Sequence, residues 1–226
     1  MIRIEKLSKS FGSKVVFKDI SLEFSEGNVY GIVGENGAGK TTLFRCLAGL
    51  ETYEGKVISS LKPFKNHLGF LTAEPFFMTK ITGKEYIRLL CNARGIKNVD
   101  IESKNIFDLP LNEYASTYST GMKKKLAITA ILLQQNEFFI LDEPFNGVDI
   151  QSNIILTEIV LKLKELNKTV LISSHIFSTL ADTCEEIHLL GESRIKKSVK
   201  KREFRELEEE MKNFIIGDKI SKLDLK

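Results

Sequence analysis

One octapeptide limits this chain more than any other part of it: Gly34-Glu35-Asn36-Gly37-Ala38-Gly39-Lys40-Thr41. It fits G-x-x-x-x-G-K-[ST], a loop that wraps backbone N–H groups around phosphate oxygens. Such a loop must leave a buried strand and open a helix, so that the helix N-terminus adds positive potential at the same point. Both flanks comply. Val29-Tyr30-Gly31-Ile32-Val33 reads as a short apolar strand, and the residues from Thr42 onward have helical spacing, with Leu43, Leu47 and Leu50 on one side. Asn36, Gly37, Ala38, Gly39 and Thr42 are then the backbone cradle. Lys40 supplies a point charge for the outer phosphates, and Thr41 a hydroxyl for magnesium.

The rest of the chain supports a sheet-based fold. Residues 1–33 read as strands joined by turns at Ser10 to Lys14 and at Glu26 to Asn28. Val57-Ile58 and Leu68 to Leu71 are further short strands. From Thr82 to about Phe107 the spacing predicts helix, with Thr82 as cap and Glu85 three residues later; a second helix covers about 120–134. Phe138-Phe139-Ile140-Leu141 and Thr169-Val170-Leu171-Ile172 are continuous apolar runs, as expected of strands buried on both faces. An amphipathic helix at 150–166 lies between them. A short helix near 176–182 leads to a last strand at 186–190. Strands alternating with helices predict an α/β sheet with parallel character. The strand-free stretch at about 75–135 reads as an inserted helical lobe within a domain spanning 1–191. Residues 192–226 read as a charged appendage carrying one amphipathic helix at 201–213.

Composition narrows the function classes. A net charge of +3 is too small to argue for a nucleic-acid partner, and none is expected. Cys46, Cys91 and Cys184 are odd in number and scattered, which suits reduced thiols better than a disulfide framework. Met1 to Leu7 alternates like a half-buried strand and unlike a signal peptide, and no apolar run reaches the ~20 residues of a membrane-spanning helix.

Three further motifs carry chemistry. Asp142-Glu143 follows the Phe138–Leu141 run, at the strand end where ligands bind in such sheets. Asp142 is placed to hold magnesium and Glu143 to polarise an attacking water. His175 ends the next buried strand, positioned to touch a terminal phosphate or to orient that water. Tyr118-Ser119-Thr120-Gly121-Met122 precedes Lys123-Lys124-Lys125. Read alone, it is a serine N-cap with a basic first turn, which opposes the helix macrodipole. Either a polyphosphate binds there, or the lysines are a solvated face.

Together these motifs resemble the nucleotide-binding subunit of an ABC transporter. The phosphate loop resembles Walker A, Phe139 to Pro144 resembles Walker B with its catalytic glutamate, and Tyr118 to Met122 resembles the signature, usually Leu-Ser-Gly-Gly-Gln. Asn146-Gly147-Val148-Asp149 is similar to the D-loop and His175 to the switch histidine. Phe11 stands where the family places an aromatic ring against adenine. The resemblance runs over about residues 1–191. It implies a P-loop NTPase of the ABC-ATPase fold, with a mixed sheet core, an N-terminal antiparallel β part and a helical lobe. It also implies ATP and Mg2+ as ligands, with Lys40, Glu143 and His175 catalytic and Thr41 and Asp142 on the metal. Ser119 and Gly121 would close the site of a second cassette, identical or homologous, across an ATP sandwich. Glu74 stands where the family usually has the Q-loop glutamine. It can still offer an oxygen to the metal but, as an anion, cannot donate a hydrogen bond. The relaxed signature and basic helix look most like ABC-2-type exporter subunits.

A separate membrane permease is therefore implied, with the chain cytoplasmic and peripheral at the membrane. Pro75-Phe76-Phe77-Met78 would either receive a permease helix or fill the lobe's own core. A soluble ABC ATPase acting on ribosomes, DNA or a regulatory partner is the alternative. A module that holds ATP without turnover is disfavoured by the presence of Glu143.

Overall fold

A computed structural model describes residues 1–216. The N-terminal part is a small antiparallel sheet, in which β1 (Ile2–Phe11) pairs with β2 (Lys14–Phe24) on one side and β4 (Glu54–Ser59) on the other. The main sheet has six strands. In spatial order they are β5 (Leu68–Leu71), β6 (Phe138–Asp142), β7 (Thr169–Ser173), β3 (Val29–Val33), β8 (Glu186–Gly191) and β9 (Arg194–Lys200). The first five run parallel, and β9 is antiparallel at the edge.

The apolar runs do what runs without alternation must do: they bury both faces. In β6, Phe138 and Ile140 point to one core while Phe139 and Leu141 point to the other. Likewise, in β3, Tyr30 and Ile32 oppose Val29 and Val33. The first core is closed by the small sheet (Ile4, Leu7, Phe17) and by α1 (Lys40–Leu47), through Leu43, Phe44 and Leu47. Helices close the second: α3 (Thr120–Leu133), α4 (Ile150–Glu165), α5 (Phe177–Thr183) and α6 (Phe204–Ile216). Between β5 and β6 lies the helical lobe, built on α2 (Gly83–Asn92) and α3.

Two expectations change. Helix α2 begins at its Thr82 cap as predicted, with Glu85 closing the capping box, but it stops at Asn92. The chain from 93 to 119 is mostly turn and irregular structure, pinned by side chains: Arg94 donates to the Leu68 carbonyl, and Asn105 both donates to and accepts from Leu109. In addition, Arg194 to Lys200, assigned above to the charged appendage, is β9 and extends the main sheet beyond residue 191. A two-residue turn joins β8 to β9. Both its residues have positive φ, 48° at Glu192 and 62° at Ser193, the backbone of a type I′ hairpin turn. The Lys18 amide donates to the Ser193 carbonyl at 2.7 Å and ties this turn to β2. Of the appendage, residues 217–226 lie outside the described residues.

All three cysteines are buried free thiols, Cys46 on the core-facing side of α1. Among the described residues, no helix is long and apolar enough to cross a membrane.

Candidate nucleotide site

The parallel strands end along one edge, and the loops leaving β3, β6 and β7 meet there. The phosphate loop leaves β3 and enters α1 through Gly39 at φ 105°, a conformation that glycine adopts without strain. A Cβ at that position would also sit 2.8 Å from Val16 Cγ1. Helix α1 has no side-chain cap and no acidic residue in its first turn, so its leading N–H groups have no internal counterpart. This contrasts with α2, α3 and α4, which are capped by Thr82, Ser119 and Asp149. The open end of α1 faces a cleft of about 580 Å³ lined by the loop residues Asn36 to Thr42, by Phe11, by Asp142 and Glu143, and by Glu192 and Ser193 of the hairpin turn.

Thr41, Asp142, Glu143 and His175 are linked by hydrogen bonds at this edge, although His175 does not itself line the cleft, and Lys40 folds back onto its own loop. The Lys40 ammonium is buried and donates to the carbonyls of Gly34 (2.8 Å) and Glu35 (3.2 Å). Thr41 Oγ1 donates to Asp142 Oδ2 at 2.7 Å, joining the first turn of α1 to the end of β6. A hydroxyl beside a carboxylate is an all-oxygen donor set that fits a hard cation such as Mg2+. On β7, Ser173 Oγ donates to Asp142 Oδ1 at 2.6 Å and accepts from the Glu143 amide at 3.0 Å, so one buried hydroxyl orders both carboxylate residues. Glu143 Oε2 lies 2.8 Å from His175 Nδ1 and also accepts from the His175 amide at 3.4 Å. Phe11, half exposed at the end of β1, has the Lys9 ammonium 4.5 Å from its ring centroid. Lys9 in turn pairs with Glu51 at 3.3 Å.

Glu143 itself is unusual. Its φ of 49° is left-handed, which costs a non-glycine residue about 1–3 kcal/mol unless its surroundings hold it there. Sequence reasoning passed over the residue that does much of the holding. Lys124, on α3, is only 2 % exposed and donates to the Glu143 carbonyl at 2.7 Å and to the Asn146 carbonyl at 2.8 Å. Burial pushes its pKa below the usual lysine value, against the pull of Glu143, Asp142 and Glu74. Lys124 therefore belongs to neither a solvated basic face nor an anion site. A helical-wheel signal was available: 124, 128 and 131 share a face, and Ile128 and Ile131 are buried. Its neighbour Lys125 bonds Asp149 at 3.1 Å and Ser152 at 3.2 Å.

The signature residues lie elsewhere. Ser119 is exposed and caps α3, accepting from the Met122 amide at 3.2 Å; neither it nor Gly121 lines the cleft. Gly121 packs so closely on the D-loop that a Cβ there would stand 2.7 Å from the Gly147 carbonyl oxygen. Glu74 is exposed beyond β5, outside the cleft lining. The apolar stretch after it divides: Phe77 is buried against Tyr86 with ring centroids 4.6 Å apart, while Phe76 is 83 % exposed and Met78 also faces outward.

This cleft fits what comparison with known proteins shows. Residues 17–146, more than half of the chain, match the ABC transporter family model. The chain is 32 % identical over 203 residues to an ABC transporter ATP-binding protein of Methanocaldococcus jannaschii, covering 85 % of this chain and 75 % of that one. It is 31 % identical over 213 residues to the bacitracin transport ATP-binding protein BcrA of Bacillus licheniformis, covering 86 % and 68 %. With the ABC transporter ATP-binding protein NatA of Bacillus subtilis it shares 30 % over 216 residues, covering 86 % and 87 %. Solved structures share the fold. An ATP-binding subunit of an ABC transporter superposes with TM-score 0.80 at 23 % identity, covering 92 % of this chain and 93 % of the other. The dimeric cassette MJ0796, in a post-hydrolysis state with ADP and Pi, gives TM-score 0.81 at 20 % identity, covering 89 % and 99 %. With its phosphate loop and paired carboxylates on one cleft and a strand-end histidine bonded to the second carboxylate, this chain belongs to the ABC transporter family, as one of its ATP-binding ATPase subunits.

Proposed function

We propose that this chain powers a separate membrane permease of the ABC-2 exporter type, from the cytoplasmic face of the membrane, through an ATP-dependent sandwich of two cassettes. The observation that carries the reading is the continuous contact chain from Thr41 through Asp142 and Ser173 to Glu143 and His175. Phe11 receives the adenine ring, and residues Asn36 to Thr42 receive the phosphates. Lys40 offsets charge on the outer phosphates. Glu143 is the general base: its carboxylate takes a proton from water as the water oxygen bonds the terminal phosphorus and ADP leaves. Held 2.8 Å from that carboxylate, His175 orients it and senses the terminal phosphate. Thr41 and Asp142 would hold Mg2+, with Glu74 reaching it from the loop after β5, and the ion would neutralise phosphate charge. Ser119 and Gly121 serve the other protomer, which explains their position away from this chain's own cleft. A permease helix seats on Phe76 and Met78, beside Glu74. Bacitracin and lantibiotic transport, named for two relatives, supports the exporter assignment.

The test is Glu143→Gln. Steady-state hydrolysis is expected to fall at least about 100-fold, the usual worth of a positioned base. The variant should also elute at doubled mass in size-exclusion chromatography with ATP. A fully active variant that remains monomeric at saturating ATP overturns the reading. Copurification with a multi-span membrane protein supports the permease assignment; copurification with ribosomes or nucleic acid instead supports the soluble alternative.

A further inference from the structure

The Walker B turn is held from the side of the signature helix. Residues 143–146 form a turn with Pro144 at its second position, and the Asn146 amide donates to the Glu143 carbonyl at 3.2 Å. The carbonyls at the two ends of that turn, of Glu143 and Asn146, both receive the single Lys124 ammonium. No other side-chain donor reaches either carbonyl among the described contacts. Backbone approach at Gly121 and the Lys125–Asp149 ion pair join the same two segments on either side of Lys124.

A buried ammonium is costly unless carbonyls or carboxylates satisfy it. Two carbonyls satisfy this one: that of Glu143, whose own backbone is left-handed, and that of Asn146, which ends the same turn. From this geometry we infer that Lys124 is a positioning residue for hydrolysis: it fixes the Glu143 turn to the first turn of the signature helix and thereby aims the base. Lys124 does not line the cleft and its ammonium is spent on the Glu143 and Asn146 carbonyls, so it acts through Glu143. The inference rests on the assignment of Glu143 as base. It adds a route from the dimer-facing signature to that base, because the helix that meets the second cassette carries the residue that sets the carboxylate's backbone.

Steady-state ATPase kinetics on the full chain test this, with ATP affinity measured separately by fluorescent-nucleotide titration. Lys124→Met keeps an unbranched stem as far as the ε position and removes the ammonium and its donors. Its kcat is expected to fall at least tenfold, with KM and ATP affinity within twofold of the parent. Lys124→Gln keeps two N–H donors on a stem one bond shorter, and its kcat should lie between the two. A merely structural lysine would lower the melting temperature and leave kcat per folded molecule unchanged. A kcat within twofold of the parent for folded Lys124→Met overturns the inference, as does a KM that rises in step with the loss. If Lys124→Met does not fold, Lys124→Gln decides: a kcat equal to the parent's, or a loss carried by KM, overturns it. Glu143→Gln in the same assay separates the two levels. If Glu143→Gln retains activity, the base assignment itself fails; if it is inactive while Lys124→Met turns over normally, only the positioning role fails.

Discussion

Removing the Ser173 hydroxyl is the sharpest test of how the site is held. Ser173 is fully buried at the end of β7, and its Oγ makes two bonds at once: it donates to Asp142 Oδ1 at 2.6 Å and accepts from the Glu143 amide at 3.0 Å. In Ser173→Ala, Asp142 loses a charge-assisted bond worth about 1.5–3 kcal/mol, and the Glu143 amide is orphaned at about 1–3 kcal/mol if it stays buried. The two losses share one site and are not additive, so a total near 3 kcal/mol is expected. For a domain of this size each kcal/mol moves the melting temperature by about 2–4 °C, giving a drop of roughly 6–12 °C. Thermal and urea melts followed by circular dichroism, without nucleotide, measure it. Ser174→Ala is the control, since Ser174 bonds only within its own turn, to the Ile176 amide and Thr179. A Ser173→Ala loss below about 1 kcal/mol, or one matched by Ser174→Ala, refutes the idea that this hydroxyl carries the two carboxylate residues.

Two other perturbations have defined signs. Burial holds the His188 pKa down at about 4, with Nδ1 bonded to Ser198 at 2.8 Å and Nε2 without a hydrogen-bond partner. The unfolded chain takes up that proton near pH 6.5 and the folded one only near 4, so stability is full above 6.5 and falls by up to about 3 kcal/mol as pH drops to 4. Melts of His188→Leu against pH should show a flatter profile over that window; an unchanged slope refutes the assignment. Gly121→Ala puts a methyl group 2.7 Å from the Gly147 carbonyl, so the D-loop must shift. A cost of about 1–3 kcal/mol and a slower ATPase are expected, and a variant matching the parent in both melting and turnover shows that the loop yields freely.

The most readable parts of this sequence were those in which one local pattern serves one purpose. The phosphate loop, the Phe138 to Leu141 run and the Thr82–Glu85 capping box each announce themselves because neighbouring residues alone satisfy the physics. Lys124 was hidden for the opposite reason. Its partners are carbonyls 19 and 22 residues away, and a lysine within a basic run normally stays in water. Strand β9 was hidden because it lies at an edge: among its residues only Val199 is fully buried, and its charges suit an exposed edge better than a core. The stretch from 93 to 107 looked helical because its apolar residues are spaced at intervals a helix could use. Ile101 and Phe107 are indeed buried, but from irregular chain fastened by Asn105.

The tight turn after β8 has a practical consequence for anyone cutting this protein down. The recognisable motifs are all present by His175, and a fragment ending at Gly191 would retain every one. It would nonetheless lose a wall of its own nucleotide cleft, since Glu192 and Ser193 line it and Ser193 anchors β2 beside it. It would also leave β8 as a bare, hydrogen-bond-hungry margin, an invitation to self-association. The shortest working piece must reach at least through Lys200.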